Sequence, residues 1–253
     1  MAHGGPDGRD PIVDVAARPR HGSRMQPVTL QDDEGSFEVT VRAVEGAARA
    51  VLVAVGGGGD PERHAPLLDA LAARGFAVAA PRFERMTAPH PTEPMLLLRA
   101  RRLSLALDLV APPGVPAVGV GHSIGAATLL ALAGGNLWLA PTRPLPIAKD
   151  DRLARLALLA PATGFFRGPG GLDAVTTPIA LWAGALDAMT PPAHAEFVRE
   201  AVGDRAPVEV RVVDGAGHFT FMDAPPPHVV DPMPAREEFL ADLARAIGDF
   251  AAG

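Results

Sequence analysis

The sequence predicts an α/β fold: a doubly wound, mostly parallel sheet with antiparallel strands at its N-terminal side and minimal or no cap domain. Three observations carry this reading. Short apolar runs at 50–55, 76–80, 116–120, 154–160, 178–183 and 207–213 have the length and bounding residues of strands. Helical patterns at 61–74, 95–110, 124–133, 191–202 and 235–250 alternate with most of them, which is the order of a parallel sheet covered by helices on both faces. Finally, Ser123, Asp187 and His218 each follow the C-terminal end of a predicted strand, the edge where open α/β sheets place their ligand sites.

Taken in order, residues 1–25 are rich in Gly, Pro, Arg and Asp and have no apolar run of the secretory type. They are expected to be a disordered extension, with Met25 as a candidate true start. Segments 26–31 and 37–44 alternate as opening antiparallel strands should. Residues 82–94, RFERMTAPHPTEP, are expected to form a loop bordering the site, and helix 95–110 carries a leucine stripe at 96, 97, 103, 107 and 109. The Pro-rich stretch 134–151 lacks helical periodicity; it is a small excursion, at most a hairpin, and too short for a cap domain.

Composition sets the class. The 253 residues are 48% hydrophobic with no long uninterrupted apolar span, so a globular chain is expected and no integral membrane segment. Residues 26–253 read as one domain because the candidate site residues are spread from 56 to 218. The absence of cysteine excludes disulfides, thiol catalysis and cysteine-ligated metal. A net charge of −6 argues against nucleic acid as a partner and leaves small neutral or apolar substrates open. Cytoplasmic residence is the expectation.

The chemistry centres on 116–128, PAVGVGHSIGAAT, where a strand runs into Gly121-His122-Ser123-Ile124-Gly125 and then a helix. This is the arrangement of a nucleophile elbow, a serine on a sharp strand-to-helix turn. Glycines belong at 121 and 125 because side chains there would collide with the adjoining strand and helix. Asp187 follows strand 178–183, and His218 follows the turn after strand 207–213. The order Ser, Asp, His is one of several in which such triads occur. Asp214, four residues before His218, is the rival acid. The run 56–59 is four glycines after a buried strand, and Asp60-Pro61 opens a helix behind it. Such a loop can bring a backbone N–H against an oxyanion; Gly57 or Gly58 is the candidate, alongside the Ile124 amide. It lacks the Lys-Ser/Thr of a phosphate loop.

The chain resembles the α/β-hydrolase superfamily, and within it the dienelactone-hydrolase-like group with its bacterial relatives of platelet-activating-factor acetylhydrolase. The resemblance runs from about Val28 to the C-terminus, on VAVGGGGD, GHSIGAAT, LARLALLAPATGFF, WAGALDAMTPP and GAGHFTFMD. Dienelactone hydrolases proper use a cysteine nucleophile, so the resemblance implies a serine carboxylic-ester hydrolase, with neither metal nor organic cofactor, acting on small-molecule esters. Other chemistry on the same residues (thioester, amide or lactone hydrolysis, acyl transfer, perhydrolysis) stays open, as does a non-catalytic binding protein of this fold. Phe83, Trp138, Phe165 and Phe219 are candidates for an apolar substrate pocket, with Met86, Phe166 and Phe221 as further contributors; for each, ordinary core packing is the competing and more common role. His122 can line the pocket or pack under the elbow, the second being the expectation, and His64, His90, His194 and His228 are expected to face solvent.

Overall fold

The chain opens with strands β1 (Val28–Asp32) and β2 (Gly35–Arg42), followed by β3 (Ala50–Ala54), helix α1 (Ala65–Ala73), β4 (Ala77–Pro81) and α2 (Glu93–Asp108). It continues through β5 (Ala117–His122), α3 (Ile124–Leu132), β6 (Leu153–Leu159), β7 (Ile179–Gly184), α4 (Ala193–Val202), β8 (Val208–Val213) and α5 (Arg236–Ala252). The structure is a computed structural model that describes residues 27–42, 46–88, 90–111 and 114–253; the extension expected at 1–25 lies outside the described residues.

All eight strands join one sheet in the order β1-β2-β4-β3-β5-β6-β7-β8. The β1–β2 and β2–β4 pairings are antiparallel and the remainder parallel. This is the α/β-hydrolase fold. Every residue of β3, β4, β5 and β7 is buried, as unbroken apolar runs require of strands covered on both faces. Alternation then sorts side chains between two layers. Ala50, Leu52 and Ala54 of β3 face the core shared with α2, α3 and α4, whereas Val51 and Val53 face α1 and α5.

Helix α3 is buried on all sides, which is why its sequence is apolar all round and shows no stripe. Its leucines at 129, 130 and 132 each contribute roughly 1.5–3 kcal/mol by leaving water. The helix approaches the sheet closely only because of two glycines. A Cβ on Gly125 would lie 2.0 Å from the Ala54 carbonyl oxygen, and one on Gly121 would lie 2.7 Å from the Ala126 Cα. The elbow spacing is thus a packing requirement of β3, β5 and α3 together.

Three local expectations need adjustment. The helix expected at 61–74 is a 3-10 turn over Pro61–His64 followed by α1, because Pro66 has no N–H to continue the ladder and serves instead near the start of a new helix. The excursion 134–151 contains a single antiparallel bridge, Ala140 to Arg143, and not a hairpin. A further 3-10 turn, Thr163–Phe166, was not evident in the sequence. Among the described residues no helix is long and apolar enough to cross a membrane.

Candidate active site

Ser123 occupies the junction of β5 and α3 with φ 54° and ψ −119°. A non-glycine residue pays of order 1–3 kcal/mol to sit in such a region and stays there only when its surroundings hold it. Here its N–H donates to the Leu159 carbonyl at 3.0 Å, and its carbonyl accepts from Ala127 and Ala162 at 3.2 Å each. The hydroxyl is thereby lifted off the C-terminal edge of the sheet, at the N-terminus of α3. The Ile124 N–H, first in that helix, has no carbonyl one turn back to bond.

From Ser123 the polar chain runs inward. Ser123 Oγ lies 3.0 Å from His218 Nε2, and His218 Nδ1 lies 2.8 Å from Asp187 Oδ2. The other carboxylate oxygen, Oδ1, accepts the backbone N–H groups of Met189 and Thr190 at 2.8 Å each. Burial pushes the Asp187 pKa upward, but hydrogen bonds from His218 and Thr190 outweigh it and hold the carboxyl below its ordinary range. An anionic acceptor at Oδ2 keeps the His218 proton on Nδ1, which leaves Nε2 free to accept from the serine hydroxyl. Asp214, the rival, makes no hydrogen bond to His218.

Thr190 was not singled out in the sequence. Its Oγ1 lies 2.7 Å from Asp187 Oδ2 and 3.0 Å from the Ala160 carbonyl, so one hydroxyl braces the carboxylate against the end of β6. The readable signal was the Asp-x-x-Thr spacing of a side chain that folds back on the backbone after it.

Behind the elbow lies a row of histidines. His122 Nε2 is 2.9 Å from the His218 carbonyl, and since a carbonyl only accepts, that nitrogen carries the proton. Its Nδ1 faces Gly56, where a Cβ would sit 2.9 Å away and 3.5 Å from Ser123 Cβ. His122 is buried beneath the elbow and also lines the cavity above it. His64 does not face solvent: it is 2% exposed, its ring lies 5.9 Å from that of His122, and neither of its nitrogens has a partner among the described residues. Apolar flanks on α1 draw the start of that helix, and His64 with it, against the sheet. His194 is half-buried, its Nδ1 accepting the Thr163 N–H at 3.1 Å. His90 and His228 are exposed.

Burial pushes the His64 pKa down to about 4, and His122 is likewise held well below its ordinary value. Both rings are neutral in the folded protein at pH 7. Their unfolded counterparts take up a proton near pH 6.5, so the unfolded state binds more protons below that point and stability falls as pH drops from about 6.5 towards 4. From pH 7 to 5, His64 alone is expected to withdraw about 2 kcal/mol. Urea midpoints should therefore drop over this window, and His64→Leu should flatten the slope; an unchanged slope would contradict neutral burial.

A cavity of about 470 Å³ opens over these groups. Ser123, Ile124, Gly57, Gly58, His218, Phe165 and Phe219 line it, and so do Arg85, Met86 and His90 of the loop 82–94. Phe83 and Trp138 do not. Phe83 is turned into the core, with the Arg99 guanidinium 4.1 Å from its ring centroid. Trp138 lies against Gly168, which leaves 2.7 Å for a Cβ, because its backbone is tied to the Phe165 carbonyl. Phe166 and Phe221 are core residues. Met189, 62% exposed, extends the apolar rim beyond the aromatic residues. Among the described residues no three His, Asp or Glu side chains converge as a metal ion would need.

The strand order and this edge of the sheet are those of the α/β-hydrolase fold. No protein-family model and no curated protein matches the sequence. Solved structures do. An α/β serine hydrolase homologue from Coxiella burnetii aligns with TM-score 0.60 and 18% identity over 91% of this chain and 99% of its own. An esterase from Pyrococcus furiosus aligns at 0.63 and 13% identity, over 89% and 90%. Esterase 2 of Thermogutta terrifontis, in a form phosphorylated by paraoxon, aligns at 0.57 and 17% identity, over 91% and 96%. At these identities the likeness is one of fold.

Proposed function

We propose that the protein is a serine hydrolase that cleaves carboxylic esters of small or medium acyl substrates through an acyl-enzyme. The observation that carries this reading is the unbroken line Ser123 Oγ, His218 Nε2, His218 Nδ1, Asp187 Oδ2, with spacings of 3.0 and 2.8 Å, at the floor of a cavity. His218 takes the hydroxyl proton as Ser123 Oγ bonds to the ester carbonyl carbon. Asp187 holds the ring and stabilises the imidazolium. The carbonyl π electrons move to oxygen, which the Ile124 N–H and a glycine N–H of the 56–59 loop receive; one such donor is typically worth about 2.7–4 kcal/mol. As the tetrahedral adduct collapses, His218 returns the proton to the leaving alcohol. A water deprotonated by the same ring then attacks the acyl-enzyme and frees the acid.

Phe165, Phe219 and Met189 give the cavity an apolar wall suited to an acyl or alkoxy group. The paraoxon adduct of the Thermogutta esterase suggests the test. Incubation with paraoxon or a fluorophosphonate is expected to add one phosphorus group at Ser123, located by peptide mass spectrometry, and to abolish turnover of p-nitrophenyl acetate through octanoate. A protein that neither labels nor turns over any of these esters would not be this enzyme.

A further inference from the structure

Arg99, on α2, is 1% exposed, yet no carboxylate pairs with it among the described residues. Its Nη2 donates to the carbonyl of Val55 and, at 3.2 Å, to that of Gly56. Its guanidinium covers the Phe83 ring, and its Nε and Nη1 have no partner among the described residues. Burial pushes its pKa down to about 10, which leaves it cationic at neutral pH. A buried cation without an anion is costly, and an apolar side chain of similar size would normally stabilise the core better. What the cation touches is the pair of carbonyls that leads into the glycine loop, those of Val55 and Gly56, and the ring of Phe83.

Peptide planarity gives that contact a direction. In a trans peptide the C=O of Gly56 and the N–H of Gly57 point opposite ways. The Gly56 carbonyl is turned inward to Arg99 and also accepts the Gly59 N–H at 3.2 Å. The Gly57 N–H therefore faces away from the core, on the side where Gly57 lines the cavity beside Ser123, and among the described residues it has no acceptor. A charged donor on the carbonyl also polarises the whole amide and strengthens the N–H as a donor.

We propose that Arg99 is a positioning residue for the oxyanion pocket: by clamping the Val55 and Gly56 carbonyls it aims, and polarises, the Gly57 N–H that receives the ester oxygen. The assignment rests on the serine-hydrolase reading and selects Gly57 over Gly58, whose own preceding carbonyl is held by the Met86 N–H at 2.8 Å instead. Arg99 touches no substrate; it acts through the loop.

The test compares wild type with Arg99→Met and Arg99→Lys. Arg99→Met is expected to lower kcat by about 10²-fold while KM stays within about twofold, because the lost interaction belongs to the transition state. Affinity for an aryl trifluoromethyl ketone, whose adduct with Ser123 carries an oxyanion, should fall in parallel. Affinity for the corresponding ether, which has no carbonyl, should not. Arg99→Lys keeps the charge but lacks the fork and should lie between. A merely structural arginine would lower the melting temperature and leave the ketone-to-ether ratio unchanged. That ratio staying at its wild-type value overturns the positioning role, and Arg99→Lys decides it alone should Arg99→Met not fold. Failure of wild type to label with fluorophosphonate would instead overturn the hydrolase reading beneath it.

Discussion

Ser123→Ala is expected to lower ester turnover by about 10⁴- to 10⁶-fold, leaving at most the residual rate that binding and the oxyanion donors supply. The same change should leave the fold intact. The Oγ makes one hydrogen bond, to His218 Nε2, whereas the turn is held by backbone bonds to Leu159, Ala127 and Ala162 that alanine retains. Ser123→Gly separates the two roles of the position more sharply. With φ at 54° the serine is strained, and glycine adopts such a conformation without a Cβ penalty. Ser123→Gly should thus be as inactive as the alanine variant yet more stable than wild type by about 1 kcal/mol, after allowing for the extra freedom glycine gives the unfolded chain. Initial rates with p-nitrophenyl butyrate and urea midpoints for the three proteins check this. A glycine variant less stable than the alanine variant would mean that the turn is not strained. Activity above a hundredth of wild type in either would mean that Ser123 is not the nucleophile.

Much of this arrangement could be read from the chain because the steric and chemical demands coincide in short segments. Gly121 and Gly125 flag the elbow, since each is a place where a Cβ would strike backbone. Asp187 and His218 stand just past their strands, so strand prediction located them. The apolar runs of β3, β5 and β7 gave the parallel sheet, since strands buried on both faces cannot alternate with polar residues. What was not legible depends on tertiary packing. Nothing around His64 in the sequence tells that its helix start is pressed under the elbow, or that its ring would follow that of His122. Side-chain chemistry alone leaves Phe83 and Trp138 open between pocket and core, and the direction of each side chain is set by neighbours elsewhere in the chain, Arg99 and Gly168. Arg99 itself sits in RARRL, where three arginines look alike. Only the helix phase shows that Arg102 pairs with Asp32 near the surface, Arg101 with Asp33 outside, and Arg99 with backbone carbonyls in the core.

Asp187→Asn should be nearly as damaging as loss of the serine, and the surroundings of the carboxylate explain why. Asp187 Oδ1 accepts two backbone N–H groups, from Met189 and Thr190. An asparagine there must keep its carbonyl oxygen at that position, because turning its NH2 towards two donors would leave all of them unpaired in a buried site. The NH2 is then forced to the Oδ2 position, 2.8 Å from His218 Nδ1. It donates, so Nδ1 must present its lone pair, and the imidazole proton moves to Nε2. The ring that faced Ser123 Oγ as an acceptor now faces it as a donor and cannot take the hydroxyl proton. The expected loss in kcat at neutral pH is about 10⁴-fold, the size associated with holding a catalytic histidine in the wrong tautomer. Stability should change by less than about 1 kcal/mol, because Thr190 Oγ1 can turn its proton wholly to the Ala160 carbonyl at 3.0 Å and accept from the new NH2. Nitrogen chemical shifts of His218 provide the direct reading: Nδ1 protonated in wild type, Nε2 protonated in Asp187→Asn. A variant whose Nδ1 stays protonated, or whose kcat remains within about tenfold of wild type, would show that the backbone donors do not dictate the orientation of the side chain.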